Sequence, residues 1–409
     1  MKLKTALAAS VAFVSASGAM AADLEVTHWW TSGGEAAAVA EFAKAVDAKT
    51  SHNWIDGAIA GSGGTARPII ISRILGGDPM AATQLNHGRQ AEELIEAGLM
   101  TDLTELAEAE GWRDIVNPSS LLDSCTFEGR IYCVPVNIHS TQWLWLSHDA
   151  FEKAGVEVPK DWFEFVSAAP ALEKAGLVPL AMGQQGWQQS IAFGAITISI
   201  VGVDTWRKVT VEKNADVAAG PEYAKVFQAA ADARELARES NVQDWNLATN
   251  MVITGKAGGQ IMGDWAQGEF AVAEQVAGQD YSCLPGLGLN QIIDTGGDAF
   301  YFPVVDDAEV KAAQLEMASI LISKEAQVNF NLAKGSLPVR GDIDLSAAND
   351  CMQKGLSILA DGGVLPNADQ TLTADTQTQI QDLLAEFWAS DMPAADAQAS
   401  YAAIIADAD

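Results

Sequence analysis

Apolar and polar positions along the chain fall into short β-rich segments that alternate with amphipathic helical runs. Leu24 to His28 reads as a first strand and Gly259 to Met262 as a buried one. Helices are predicted over Glu35 to Lys49, Ala91 to Ala97 with Gly98 as the stop, Pro221 to Ser240, Ala308 to Ser323 and Ala374 to Ala389. Gly33-Gly34 is read as the turn between the first strand and the first helix, and Tyr132 to Val136 as an extended crossover. Without an internal repeat or a low-complexity linker, this succession predicts a layered α/β protein. Its lobes would be joined by compact crossings rather than by a tether.

The first apolar run has a different character. Lys2 and Lys4 precede an apolar stretch from about Ala6 to Val14, and Ala19-Met20-Ala21 supplies small residues for a cut. That stretch falls short of the roughly 20 residues that span a bilayer, so a cleaved signal peptide is expected, with the mature chain beginning at Ala22. The remaining 409 − 21 = 388 residues have Ile191 to Val203 as their most apolar stretch, which is short and rich in small residues. A soluble, periplasmic protein is the expectation. A chain of that length exceeds what one core supports, and two lobes follow, with 22–137 plus 281–340 in the first and 138–280 plus 341–409 in the second.

Charge and cysteines narrow the partners. The formal charge of −30 becomes −30 − 2 = −32 once the two leader lysines are gone, a balance that repels phosphate backbones and anionic lipid surfaces. Nucleic acid and direct membrane adsorption are therefore disfavoured. Cys125, Cys133, Cys283 and Cys351 form an even set in an oxidising compartment, which favours two disulfides among three connectivities. Glu128-Gly129 looks like a hairpin turn that sets Cys125 opposite Cys133, leaving Cys283 for Cys351. A metal site would need nearby histidines or a Cys-x-x-Cys spacing, and neither is present. No cofactor is expected, since Gly61 to Gly64 lacks the Lys-Ser or Lys-Thr of a phosphate loop.

Five segments carry a resemblance. Thr27-His28-Trp29-Trp30-Thr31-Ser32-Gly33-Gly34-Glu35, Asn137-Ile138-His139-Ser140, Asp244-Trp245-Asn246, Met262-Gly263-Asp264-Trp265 and Lys334-Gly335-Ser336-Leu337-Pro338-Val339-Arg340 are spread over nearly all the mature chain. Together they resemble the glucose-type extracellular solute-binding proteins of sugar ABC importers. The resemblance implies two α/β lobes joined by a hinge of several crossings, a monosaccharide in the cleft, and delivery to a two-subunit permease powered by a cytoplasmic ATPase. A monomer is expected.

Sugar chemistry gives those residue types a reason to be there. A pyranose has C–H faces that suit indoles and a rim of hydroxyls that suits charged donors and acceptors, each buried charge-assisted bond contributing about 1.5–3 kcal/mol. Trp29 and Trp30 follow the first strand at the carboxyl edge where open α/β sheets bind ligands, and at least one of them is expected in the cleft. Glu35 either caps its helix or accepts from two hydroxyls. His87, with Asn86 beside it, sits at a strand end from which a loop residue reaches the cleft, as the resemblance implies for this loop. Asn137 and His139 fall where the chain crosses between lobes, as ligand contacts or hinge residues. Trp245 and Trp265 match the second-lobe motifs; Trp143, Trp145 and Trp187 are weaker candidates. Asp298 has the loop context of an acceptor, and Lys334 lies in a motif that implies donation to hydroxyls. One departure stands out: Val364 to Asp369 holds no histidine where the resemblance expects one, so Asn367 or Asp369 would substitute, which leaves glucose, galactose and mannose open.

Two other function classes share part of this pattern. A secreted glycoside hydrolase would use paired carboxylates such as Glu35 and Asp298 across a glycosidic bond. A surface lectin fits less well, because a buried cleft with hinge crossings suits capture and release.

Overall fold

The computed structural model describes residues 21–408, so the expected leader lies, apart from Ala21, outside the described residues. In chain order the strands are β1 (Asp23–His28), β2 (Asn53–Ala58), β3 (Ala82–Asn86), β4 (Thr126–Phe127), β5 (Arg130–Ile131), β6 (Cys133–Pro135) and β7 (Trp143–Ser147). They continue with β8 (Val178–Leu180), β9 (Ala257–Met262), β10 (Tyr281–Pro285), β11 (Ile293–Asp294), β12 (Asp298–Tyr301) and β13 (Val364–Leu365). Two sheets organise the molecule. A five-stranded sheet has the order β2-β1-β3-β12-β6, and a four-stranded sheet the order β10-β7-β9-β8, so the fold is α/β with two lobes.

β1 pairs in parallel with β2 and β3, and β12 closes antiparallel onto β3 and β6. The chain crosses between the sheets after β6 and again after β10, and these two passages touch where His139 bridges to Gly296; Ile138 bridges to Leu337, which follows the helix Lys324–Lys334. β10 corrects one expected boundary. Residues 281–285 pair antiparallel with β7 and therefore sit in the second sheet, and the chain returns to the first only at β12. Pairing partners so distant in sequence leave no local mark on the segment itself.

Alternation along β7 divides the core. Trp143 and Trp145 stack at 5.7 Å and join the cluster that runs into the first lobe, while Leu144 and Leu146 join a second cluster under the helices Gly186–Thr210 and Pro221–Leu236. Both tryptophans are thus buried core residues. Among the described residues no helix is long and apolar enough to cross a membrane; Ile191 to Val203 belongs to the helix Gly186–Thr210, which breaks at Gly202.

Both disulfides form as expected, Cys125–Cys133 across the β4–β5 hairpin and Cys283–Cys351 between β10 and the helix Asp350–Ala360. Their sequence separations of 8 and 68 residues set their weight. Loop-closure entropy gives roughly 2.5 kcal/mol for the short loop and roughly 4.5 kcal/mol for the long one. Cys283→Ser with Cys351→Ser should accordingly lower the urea midpoint more than Cys125→Ser with Cys133→Ser; equal losses, or a larger loss from the short loop, would reject that ranking.

Candidate ligand-binding site

The site begins where β1 ends. The Trp29 amide donates to Gln84 Oε1 of β3 at 3.0 Å, and the Arg67 guanidinium lies over the part-exposed indole, 5.4 Å from its centroid. Trp30 turns the other way. Its ring is buried against Phe300 and Phe330, at 5.7 and 5.2 Å, because adjacent residues leave an extended chain on opposite sides. Trp30 is therefore a core residue, and of the pair only Trp29 offers a face.

The helix Gly33–Lys49 starts earlier than expected, with Ser32 as its cap, accepting from the Glu35 amide. Gly33 and Gly34 are its first residues, not a separate turn. A Cβ on Gly34 would lie 2.5 Å from the Gly268 carbonyl carbon, so the first helix meets the helix Ala266–Val272, which follows β9 of the other sheet, backbone to backbone. The Gly34 amide also donates to Glu269 Oε1 at 2.8 Å. The next residue, Glu35, receives Lys334 Nζ at 2.7 Å, both side chains being buried. Lys334 comes from the last turn of the helix Lys324–Lys334, stopped by Gly335 in the left-handed conformation, and its ammonium stands 5.8 Å from the Trp30 centroid. The two charged candidates are thus partners of each other, as two ends of one polar cluster.

Beside them, Asp298 gathers donors. Its Oδ1 accepts from Gln84 Nε2 at 2.7 Å, and its Oδ2 from Asn137 Nδ2 at 3.0 Å and His139 Nε2 at 2.9 Å. The other nitrogen of His139 meets Asp264 Oδ1 at 2.7 Å, and Asp264 Oδ2 accepts the Ser140 amide. Burial is the largest influence on Asp298 and opposes its charge. His139, Lys334 and Asn137 outweigh it and hold the carboxyl well below the usual range. For Asp264 burial prevails over the pull of His139, and its value is raised.

Trp265 closes the other side. Its ring stands edge-on to His139 at 4.9 Å, with Trp187 at 6.3 Å and Trp245 at 6.4 Å. Gly263 makes this possible, since a Cβ there would collide with the Trp265 ring. Trp187 and Trp265 remain part-exposed, while Trp245 is nearly buried at their back.

Two further candidates, His87 and Asn367, are held by partners of their own. His87 is fully buried, hydrogen-bonded through Nδ1 to Ser124 Oγ at 2.9 Å, and burial lowers it to about 4, so it is a neutral residue behind Asp298. Asn367 Nδ2 donates to Asp294 Oδ2 at 2.7 Å, and Asp294 also accepts from Thr141, which ties the β11–β13 passage to the crossing. Burial raises Asp294 to about 6 despite those donors. Asp369 lies on the helix Ala368–Thr371; its side chain is outside the described residues. Two surface cavities, of about 340 and 460 Å³, open elsewhere, one beside Arg89, Ser124 and Phe127 and the other beside Glu25, Met80 and Val304.

Sequence reasoning passed over Arg67, Gln84, Asp264 and Glu269. Gln84 lies on the strand that leads to His87, and Asp264 within the Met262 to Trp265 motif; nothing local marks Arg67 or Glu269.

Known proteins resemble this chain in sequence and in fold. Residues 30–327 match the family described as bacterial extracellular solute-binding protein. A probable sugar-binding periplasmic protein of Mesorhizobium japonicum is 37% identical over 368 residues, 88% of this chain and 87% of its own. One of Rhizobium meliloti with the same description is 35% identical over 363 residues, 88% and 86% of the two chains. Among solved structures, the solute receptor AcbH, whose description gives it an exclusive preference for b-D-galactopyranose, superposes with a TM-score of 0.77 at 18% identity, covering 94% of this chain and 98% of that one. With two lobes, a polar cluster flanked by indoles between them, and a family match across most of its length, this chain belongs to the bacterial extracellular solute-binding proteins.

Proposed function

We propose that the protein is the periplasmic sugar-binding component of an ABC importer, and that it encloses a monosaccharide between its lobes and hands it, as a monomer, to the permease. Glucose is the first candidate, with galactose and mannose next. The observation that carries this reading is the pairing of part-exposed indoles, Trp29 on the first lobe and Trp265 with Trp187 on the second, around buried charged groups. Indoles match the C–H faces of a pyranose, and charged donors and acceptors match its hydroxyls. The relatives described as probable sugar-binding periplasmic proteins support the same class of ligand. We place the ligand among Trp29, Glu35, Lys334 and Trp265, with Asn137, His139 and Asp298 beneath it. The hydrolase reading is set aside, because the family consists of solute-binding proteins, not enzymes.

Adding glucose, galactose or mannose should quench or shift tryptophan emission without any product forming, since the indoles lose water as the lobes close. Unchanged emission together with an unchanged melting temperature for all three hexoses would remove the monosaccharide reading.

A further inference from the structure

His139 makes two contacts that a neutral imidazole cannot make with two ionised carboxylates. A neutral ring carries one N–H, whereas here Nδ1 lies 2.7 Å from Asp264 and Nε2 lies 2.9 Å from Asp298. The two carboxylates belong to different lobes, Asp264 following β9 of the four-stranded sheet and Asp298 standing on β12 of the five-stranded one. His139 itself is in the crossing between β6 and β7. We propose that His139 is a doubly protonated pin that joins the lobes through one carboxylate of each, so that removing its proton loosens their engagement.

The surroundings are consistent with one charge at this point. His87 faces the ring from the end of β3 and is held neutral. Lys334 acts on both carboxylates from the helix Lys324–Lys334, with Glu35 beyond it. Asn137 Nδ2 donates to Asp298 Oδ2 at 3.0 Å and also lies 3.1 Å from His139 Nε2, the Ser140 amide donates to Asp264, and the Trp265 indole stands edge-on to the ring. Burial, the largest single influence, opposes a charged imidazole, yet Asp264 and Asp298 together raise His139 to about 9. The value lies above the ordinary 6.5, so the stabilisation is full below about pH 6.5 and is lost as pH rises through about 9. This inference concerns the lobes and stands apart from which ligand they enclose.

The test uses ligand-free mature protein with labelled histidine. Nuclear magnetic resonance should find the ring that contacts the Trp265 indole carrying both protons at pH 7 and titrating near pH 9, with Asp264→Asn moving that titration down by a unit or more. Small-angle scattering of the same protein should show the radius of gyration increasing above that titration, and His139→Gln should already show the increase at pH 7. A single neutral tautomer at pH 7, with the proton held instead by Asp264, would overturn the proposal. So would a His139→Gln variant whose scattering matches the native protein at every pH.

Discussion

Gly34→Val is expected to hold the lobes apart and to weaken sugar binding while the fold survives. The added Cβ would lie within 3 Å of three Gly268 and Glu269 backbone atoms, and backbone cannot step aside as the tip of a side chain does. The two helices that meet here follow strands of different sheets, so separating the lobes relieves the contact without unpacking either core. An overpacked contact costs about 1–3 kcal/mol, which converts to roughly a five- to 150-fold loss of affinity. Calorimetric titration with the hexose that binds the native protein, alongside scattering at saturating sugar, reads both effects. Native affinity and native compactness in the variant would show that the helices are not brought together by closure.

The second large effect concerns Lys334. Lys334→Met leaves the Glu35 carboxylate without its partner in a buried setting, and breaking such a pair costs about 3–5 kcal/mol. It also withdraws a cation from Asp264 and Asp298. Glu35→Gln alone should be costly for the mirror reason. Glu35→Gln added to Lys334→Met should cost much less than it does alone, because the stranded charge is then gone. Urea unfolding of the four proteins measures the cycle. Strictly additive losses would mean that the two side chains do not act as a pair. In the proposed site both variants also weaken sugar binding, so binding is measured at temperatures where each variant is folded.

Much of this was legible from local pattern, and the exceptions share a cause. The first strand, the helix Ala374–Ala389 and the hairpin that sets Cys125 opposite Cys133 are specified by residues next to one another, and the structure has them where the pattern placed them. Gly33-Gly34 reads as a turn because glycine favours turns. What fixes it as helix is Ser32 as cap and contact with Gly268, more than 230 residues away. Trp29 and Trp30 share a dipeptide that reads the same for either residue, and only the positions of Phe300 and Phe330 decide which one is core. Asp298 looked like a free acceptor in a glycine-rich loop; the donors that fill it come from β3 and from the crossing. Composition could mark candidate charges, but not which charges would be one another's partners.

The central claim, a hexose enclosed between the lobes, is tested most directly by native mass spectrometry of the mature protein as purified, then after incubation with glucose, galactose and mannose in competition. The expected result is a retained adduct of hexose mass, one per chain, exchanged in a fixed order of preference and lost from Trp265→Ala. Protein that carries no hexose as purified and takes up none of the three would contradict the account.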